Sequence, residues 1–265
     1  MGPRRGRLLL GMLAALAAAS IFLPIVALLW GANWQTFGSD IAAPEARSAL
    51  QLSFATALVT TLVCLLLGVP LALYLARSSS GLAFGIRLLV NLPLVMPPLV
   101  GGLALLMLFG RRGLLGGPLY DLFGFQLGFT TPAVVVAQIF VALPFMVITV
   151  EGVARTISPE HEMVAASLGA TPAAVFWHVT VPLLKPGLVA GAVLSFSRAL
   201  GEFGATALFA GNRPGVTQTM PLAIYTAFNG GGVSASAATA LAILLMGASI
   251  VVMLLTGSWD RRGAK

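Results

Sequence analysis

Charged residues are scarce in this chain. Of its 265 residues, 9% are charged and 58% are hydrophobic, whereas an ordinary soluble domain has roughly 25% charged residues. This shortage excludes a soluble globule, whose surface must stay in water, and favours a protein embedded in lipid. The net charge of +7 does not predict nucleic-acid binding, because the basic residues stand in short groups between long apolar runs.

Residues that carry chemistry are also few. Cys64 is the only cysteine and lies inside an apolar run, so we interpret it as a small interior residue. With a single cysteine and two histidines, the sequence predicts neither an internal disulfide nor a metal site. It also lacks the glycine-rich run ending in Gly-Lys-Ser/Thr that binds nucleotide phosphates. We therefore predict that the chain itself is not an enzyme and binds no cofactor.

Long apolar runs are abundant. A membrane-spanning helix needs about 20 apolar residues, and no run alternates in the way that a barrel strand does. The sequence predicts an all-α integral membrane protein with six transmembrane helices. They are expected at residues 8–30, within 48–76, at 88–110, at 132–153, from about 186 onward, and at 235–255. The first run could be a signal peptide, but its length favours an uncleaved helix.

Basic residues are distributed unequally between the predicted loops. With the amino terminus in the cytoplasm, the loops on the outer side contain Arg47, Arg111, Arg112 and Arg213. The inner side contains Arg4, Arg5, Arg7, Arg77, Arg87, Arg155, Lys185, Arg261, Arg262 and Lys265. This bias follows the positive-inside rule. It predicts that both termini are cytoplasmic in a multi-pass protein of a bacterial or archaeal cell (inner) membrane.

The predicted cytoplasmic loop between the fourth and fifth helices contains two helix starts. Ser158 with Pro159, and Thr171 with Pro172, each combine a hydroxyl cap with a proline in the first turn. Gly169, just before the second start, can end the first helix in a left-handed conformation. We expect two short helices joined at this glycine. From the residues alone, the loop is either a structured connector or a surface on which another protein docks.

This loop resembles the signature loop of ABC-importer permeases. Gly169 is followed after nine residues by an aliphatic–x–aliphatic–proline sequence at 179–182. The acidic residue is Glu162, and Met163 occupies the place where many members have glutamate. The resemblance implies a type I ABC-importer permease fold whose loop, 158–184, couples to a cytoplasmic ATP-binding subunit that uses ATP and Mg²⁺. The implied coupling residues are Glu162, Ala165, Ala166, Leu168, Gly169, Ala170 and Pro182.

Two ionisable residues interrupt the predicted fifth helix. Arg198 and Glu202 are four residues apart, which places them on one face of a helix. Glu202 would lie ~24 Å along the helix from Pro186, toward the outer surface. Such groups usually face a bundle interior or a water-filled path, so the pair is either a structural ion pair or part of a gate. In the third helix, Pro97 and Pro98 predict a bend along the same path.

Residues 192–226 resemble the molybdate permease subunit, and the likeness to permeases extends over about 46–257. Sulfate permeases are similar but tend to have tyrosine, then glycine-serine, where this chain has Phe-Gly-Ala-Thr at 203–206. The resemblance implies a path for molybdate or tungstate. It also implies two copies of this chain, two ATPase subunits and an external molybdate-binding protein. The implied path or gate residues are Pro97, Pro98, Arg198, Gly201, Glu202, Phe203, Gly204 and Thr206.

Three regions follow from this interpretation. Residues 1–45 are expected to form an N-terminal tip, the first helix and an external loop. Residues 46–257 would be the permease core, and 258–265 a cytoplasmic tail. The alternative substrates are sulfate and thiosulfate. The alternative classes are an ion-coupled secondary transporter or channel, which has no need for the paired-helix loop, and a membrane enzyme, for which the chain has too few acid–base groups.

Overall fold

The computed structural model describes residues 3–263, with side chains for 10–252 and Leu254. All regular structure within this range is helical. The helices are α1 (Pro3–Trp30), α2 (Phe37–Ala42), α3 (Pro44–Arg77), α4 (Gly81–Val95), α5 (Pro98–Phe109), α6 (Gly116–Phe123), α7 (Thr131–Thr156), α8 (Glu160–Ser167), α9 (Pro172–Val175), a π-turn (Phe176–Thr180), α10 (Val181–Leu200), α11 (Gly204–Phe209), α12 (Met220–Phe228) and α13 (Ala235–Gly263).

Five helical segments of the described chain are long and apolar enough to cross a membrane. They are Leu10–Trp30, Pro44–Arg77, Thr131–Thr156, Pro172–Leu200 and Ala235–Val252. A sixth crossing is obtained when α4 and α5, which are bent by 119° at their junction, are counted as one broken span. The predicted all-α membrane architecture is therefore confirmed.

The prediction of one continuous third helix at 88–110 is wrong. The helix α4 starts earlier, at Gly81, and ends at Val95, and α5 begins at Pro98. Pro97 and Pro98 have no N–H group, and a proline disfavours helical geometry in the residue before it. The proline pair therefore interrupts the helix completely, where the sequence predicted only a bend.

The limits of the fifth span also differ from the prediction. The helix α10 begins at Val181, directly after the π-turn, because Pro182 fits its first turn and Pro186 is tolerated inside it. The helix ends at Leu200, before Glu202. Glycine at 201 weakens helix continuation. The prediction that Arg198 and Glu202 lie on one face of a continuous helix is therefore wrong.

The core forms where α3, α7 and α10 pack against one another. Small residues allow this close approach: a Cβ atom at Gly68 or at Gly191 would lie 2.8 Å from the side chain of Met146. Polar contacts add specificity, since Ser195 donates a hydrogen bond to the carbonyl of Ala142 at 3.2 Å. Ala142 lies near the middle of α7, so this contact marks the mid-level of the bundle.

Helix α1 lies outside this core, with no buried residue between Leu10 and Trp30. Several cations used for the predicted orientation fall where side chains are not described. They are Arg4, Arg5, Arg7, Arg261 and Arg262, while Lys265 lies outside the described residues altogether.

Candidate functional site

The loop between α7 and α10 has the predicted paired-helix form. Helix α8 ends before Gly169, whose φ of 86° is left-handed. A second start follows at once, because the hydroxyl of Thr171 accepts a hydrogen bond from the backbone N–H of Ala174 at 3.3 Å. The two short helices, α8 and α9, therefore form at one end of the bundle.

The carboxylate of Glu162 points toward the bundle. It forms an ion pair with Arg77, at the end of α3, and accepts a hydrogen bond of 2.6 Å from the hydroxyl of Thr180, just before α10. The side chain of Glu162 is only 23% exposed. Sequence reasoning identified Glu162 but not these two partners.

The loop also exposes large apolar side chains, which we call its apolar face. Met163, Val164 and Trp177 are each more than half exposed, and Leu168 is 84% exposed. An apolar patch of this kind is typical of a protein interaction site. Among the other residues that the sequence singled out, Ala165 and Ala170 are half-buried, and Ala166, Gly169 and Pro182 are exposed.

A second ionic cluster lies at the same end of the bundle. Glu151, near the end of α7, pairs with Arg155 at 2.7 Å and with Arg87 of α4 at 2.9 Å. Arg87 also donates a hydrogen bond to the carbonyl of Leu75 at 3.0 Å. The cluster joins the ends of α3 and α7 to the middle of α4. Sequence reasoning missed it, although the four-residue spacing of Glu151 and Arg155 indicates their pairing.

The second group of predicted residues lies at two breaks between consecutive helices. The break before α5 and the break before α11 come together, and the two following helices pack very closely. A Cβ atom at Gly102 would lie 2.8 Å from the carbonyl oxygen of Ala205, and one at Gly204 would lie 2.6 Å from Cβ of Pro98. Only glycine fits at these two positions without a shift of the neighbouring chain.

An ion pair stabilises this junction. Arg198 Nη1 lies 2.6 Å from Glu202 Oε2, and Glu202 Oε1 accepts a hydrogen bond from the backbone N–H of Ala205 at 2.8 Å. The side chain of Glu202 is 1% exposed, whereas that of Arg198 is 29% exposed. Glu202 therefore fixes the start of α11 and neutralises the arginine beside it.

A cleft of about 340 Å³ opens at this junction. Seven of the eight residues predicted for a path or gate line it, together with Leu99: Pro97, Pro98, Arg198, Gly201, Glu202, Phe203 and Gly204. Thr206 does not line the cleft and is fully buried in α11. Among the described residues, no three His, Cys, Asp or Glu side chains converge as a metal site would require.

The cleft lies in the half of the bundle opposite to the loop. Ser195, seven residues before Glu202, contacts the middle of α7. Phe209, seven residues after it, accepts a hydrogen bond from the backbone N–H of Phe129, just before the start of α7. The cleft is therefore between mid-bundle and the Thr131 end of α7.

Comparison with known proteins shows the family to which this chain belongs. Residues 68–264 match the sequence model of the binding-protein-dependent transport system inner membrane component. This chain belongs to that family. Its members are membrane permease components of transport systems and are not themselves catalytic, so the chain is a multi-pass inner-membrane permease.

Individual relatives are similar over nearly the whole chain. The molybdenum transport system permease protein ModB of Mycobacterium tuberculosis is 50% identical over 90% of this chain and 89% of its own length. The probable sulfate transport system permease protein cysT of Zygnema circumcarinatum is 31% identical over 88% and 82%. A bacterial alginate ABC transporter, solved with an alginate pentasaccharide-bound periplasmic protein, matches with a TM-score of 0.72. That match, at 19% identity, covers 99% of this chain and 96% of the solved one, and it shows a shared fold.

Proposed function

We propose that this chain is the transmembrane subunit of an ATP-driven importer and forms the path for molybdate or the similar oxyanion tungstate. The observation that carries the importer assignment is the paired-helix loop, which presents an open apolar face at one end of the bundle. The greater identity to the molybdenum permease, 50% against 31% for the sulfate permease, supports molybdate over sulfate.

The apolar face of the loop is the proposed docking surface for the ATPase. Leu168 and Trp177 project from it, and their exposure would be costly unless another protein covers them. Two copies of this chain would bind two cytoplasmic ATPase subunits, which supply the ATP and Mg²⁺ chemistry. The loop and both termini would then be cytoplasmic, in keeping with the distribution of basic residues.

The cleft at the helix breaks is the proposed gate region of the path. It lies toward the end of the bundle that an external molybdate-binding protein would approach. Because the charge of Arg198 is balanced by Glu202, an anion near Arg198 would be attracted weakly and would not be bound tightly. Such a balance suits a residue along a path, since bound substrate must also leave.

The docking assignment is tested by copurification of the ATPase subunit with variants of this chain. Leu168→Glu places a charge on the apolar face, and we expect the ATPase to be lost from the purified complex. Leu122→Glu is the matched control, because Leu122 is 75% exposed but lies on α6, near the other end of the bundle. Retention of the ATPase by L168E, or equal loss from both variants, would contradict the assignment.

A further inference from the structure

The negative charge of Glu162 is paired with an arginine of the same chain. Its neighbours on α8, Met163 and Val164, are exposed, as is Glu160 one half-turn earlier. The carboxylate of Glu162 instead contacts Arg77 and Thr180. The carboxylate of Glu160 makes neither an ion pair nor a hydrogen bond within the described residues.

These two contacts join three elements. Arg77 is the last residue of α3, and Thr180 is the buried last residue of the π-turn that leads into α10. A single oxygen, Oε1 of Glu162, contacts both partners. The side chain therefore joins the short loop helix to the ends of two membrane-spanning helices that pack together in the core.

Little else holds α8 against the bundle. No residue of α8 is buried. Two hollows of about 430 and 510 Å³ lie beside the Glu162 side chain. Both are lined by Leu73, Arg77, Pro159, Glu162 and Thr180. Among the described residues, the carboxylate of Glu162 makes the ion pair and the hydrogen bond that link a side chain of α8 to α3 and to the π-turn.

We propose that Glu162 is a positioning residue that transmits movement of the docked loop to α3 and α10 through Arg77 and Thr180, without contacting the ATPase. The proposal rests on the proposed function, since it requires an ATPase that moves the loop. Docking then depends on the apolar face of the loop, and transmission depends on the carboxylate of Glu162. Loss of Glu162 should then leave the complex assembled while lowering the amount of substrate moved per ATP.

The test is a charge exchange in the complex of this chain with its ATPase, reconstituted with the binding protein in proteoliposomes. Molybdate uptake and ATP hydrolysis are measured together. For Glu162→Arg we expect an intact complex and a loss of molybdate taken up per ATP, because both the ion pair with Arg77 and the hydrogen bond from Thr180 are removed. The double variant Arg77→Glu/Glu162→Arg should recover most of this ratio, because the pair is restored with its charges reversed.

Glu160→Arg is the matched control, because it makes the same change in charge on the same helix where no pair exists. It should leave the ratio unchanged. If E162R lowers the melting temperature so far that no complex forms, Thr180→Val is measured in its place. This variant keeps every charge and should still lower uptake per ATP, whereas a ratio equal to that of the unmodified chain would overturn the proposal.

Two other results would also overturn the proposal. One is loss of the ATPase from folded E162R with no recovery in the double variant, which would place Glu162 at the intersubunit contact. The other is an equal effect of E160R and E162R, which would indicate the surface charge of α8 alone. Failure of the proposed function is distinguishable, because the unmodified complex would then show no ATP-driven uptake at all.

Discussion

The close packing of α5 on α11 gives a quantitative prediction for Gly102. An alanine there would place its Cβ atom 2.8 Å from the carbonyl oxygen and 2.9 Å from the Cα atom of Ala205, and 3.0 Å from Cβ of Leu208. Two of these atoms belong to the backbone, so no side-chain rotation relieves the contact. The helices must separate, and overpacking of this kind costs about 1–3 kcal/mol.

This cost acts on the packed arrangement of the two helices. If α5 and α11 move apart when the path opens, Gly102→Ala favours the open arrangement by the same amount, or about 5–150-fold in population. The open arrangement is read out with a cysteine at Phe203, which lines the cleft, in a chain whose native Cys64 is replaced by alanine. We expect faster modification by a membrane-impermeant maleimide in the nucleotide-free complex, together with a lower melting temperature.

Two other glycines provide graded controls for this experiment. A Cβ atom at Gly85 of α4 has nothing within 4 Å, so G85A should melt and react like the parent chain. At Gly101 the closest atom, at 2.8 Å, is at the far edge of the Phe140 ring, which can rotate away. G101A should therefore have a smaller effect than G102A. Equal labelling rates for G102A and G85A would refute the argument that α5 and α11 close the cleft.

Three further predictions concern buried groups. Arg198→Ala should destabilise the chain by about 3 kcal/mol, which is near the lower value for breaking a buried ion pair because the arginine is partly exposed. The double variant Arg198→Met/Glu202→Gln should have a higher melting temperature than R198A, because it leaves no unpaired charge. A lower melting temperature for the double variant would contradict the pairing. Glu151→Gln should lower the free energy of unfolding by about 1.5–3 kcal/mol, the value of hydrogen bonds to a charged group. The control Glu160→Gln should cause no change in the same thermal melt. Cys64, fully buried, should react with maleimide only after denaturation, and rapid labelling of the folded complex would disprove its burial.

Local signals in the sequence predicted the loop well. The left-handed Gly169 and the cap at Thr171 were correctly expected, because each depends only on residues within one helical turn. The interruption at Pro97 and Pro98 was expected only as a bend. Whether a membrane helix bends or breaks at proline depends on what packs there, and Gly204 of a distant segment lies against Pro98.

Contacts between distant segments could not be predicted. Arg77 and Glu162 are 85 residues apart in the chain, and nothing in the pattern around either one indicates the other. Arg198 and Glu202 were correctly expected to meet, but the hydrogen bond from Ala205 to Glu202 depends on the helix ending at Leu200. Propensity alone left that end undefined, because the apolar sequence continues beyond it.

The proposed function makes this chain the path of an ATP-driven importer for molybdate. It is tested most directly by uptake of labelled molybdate into proteoliposomes that contain the chain, its ATPase and its binding protein. We predict uptake that requires ATP, is inhibited strongly by unlabelled molybdate and tungstate, and is inhibited weakly by sulfate. Uptake that proceeds without ATP hydrolysis, or that sulfate inhibits as strongly as molybdate, would contradict the claim.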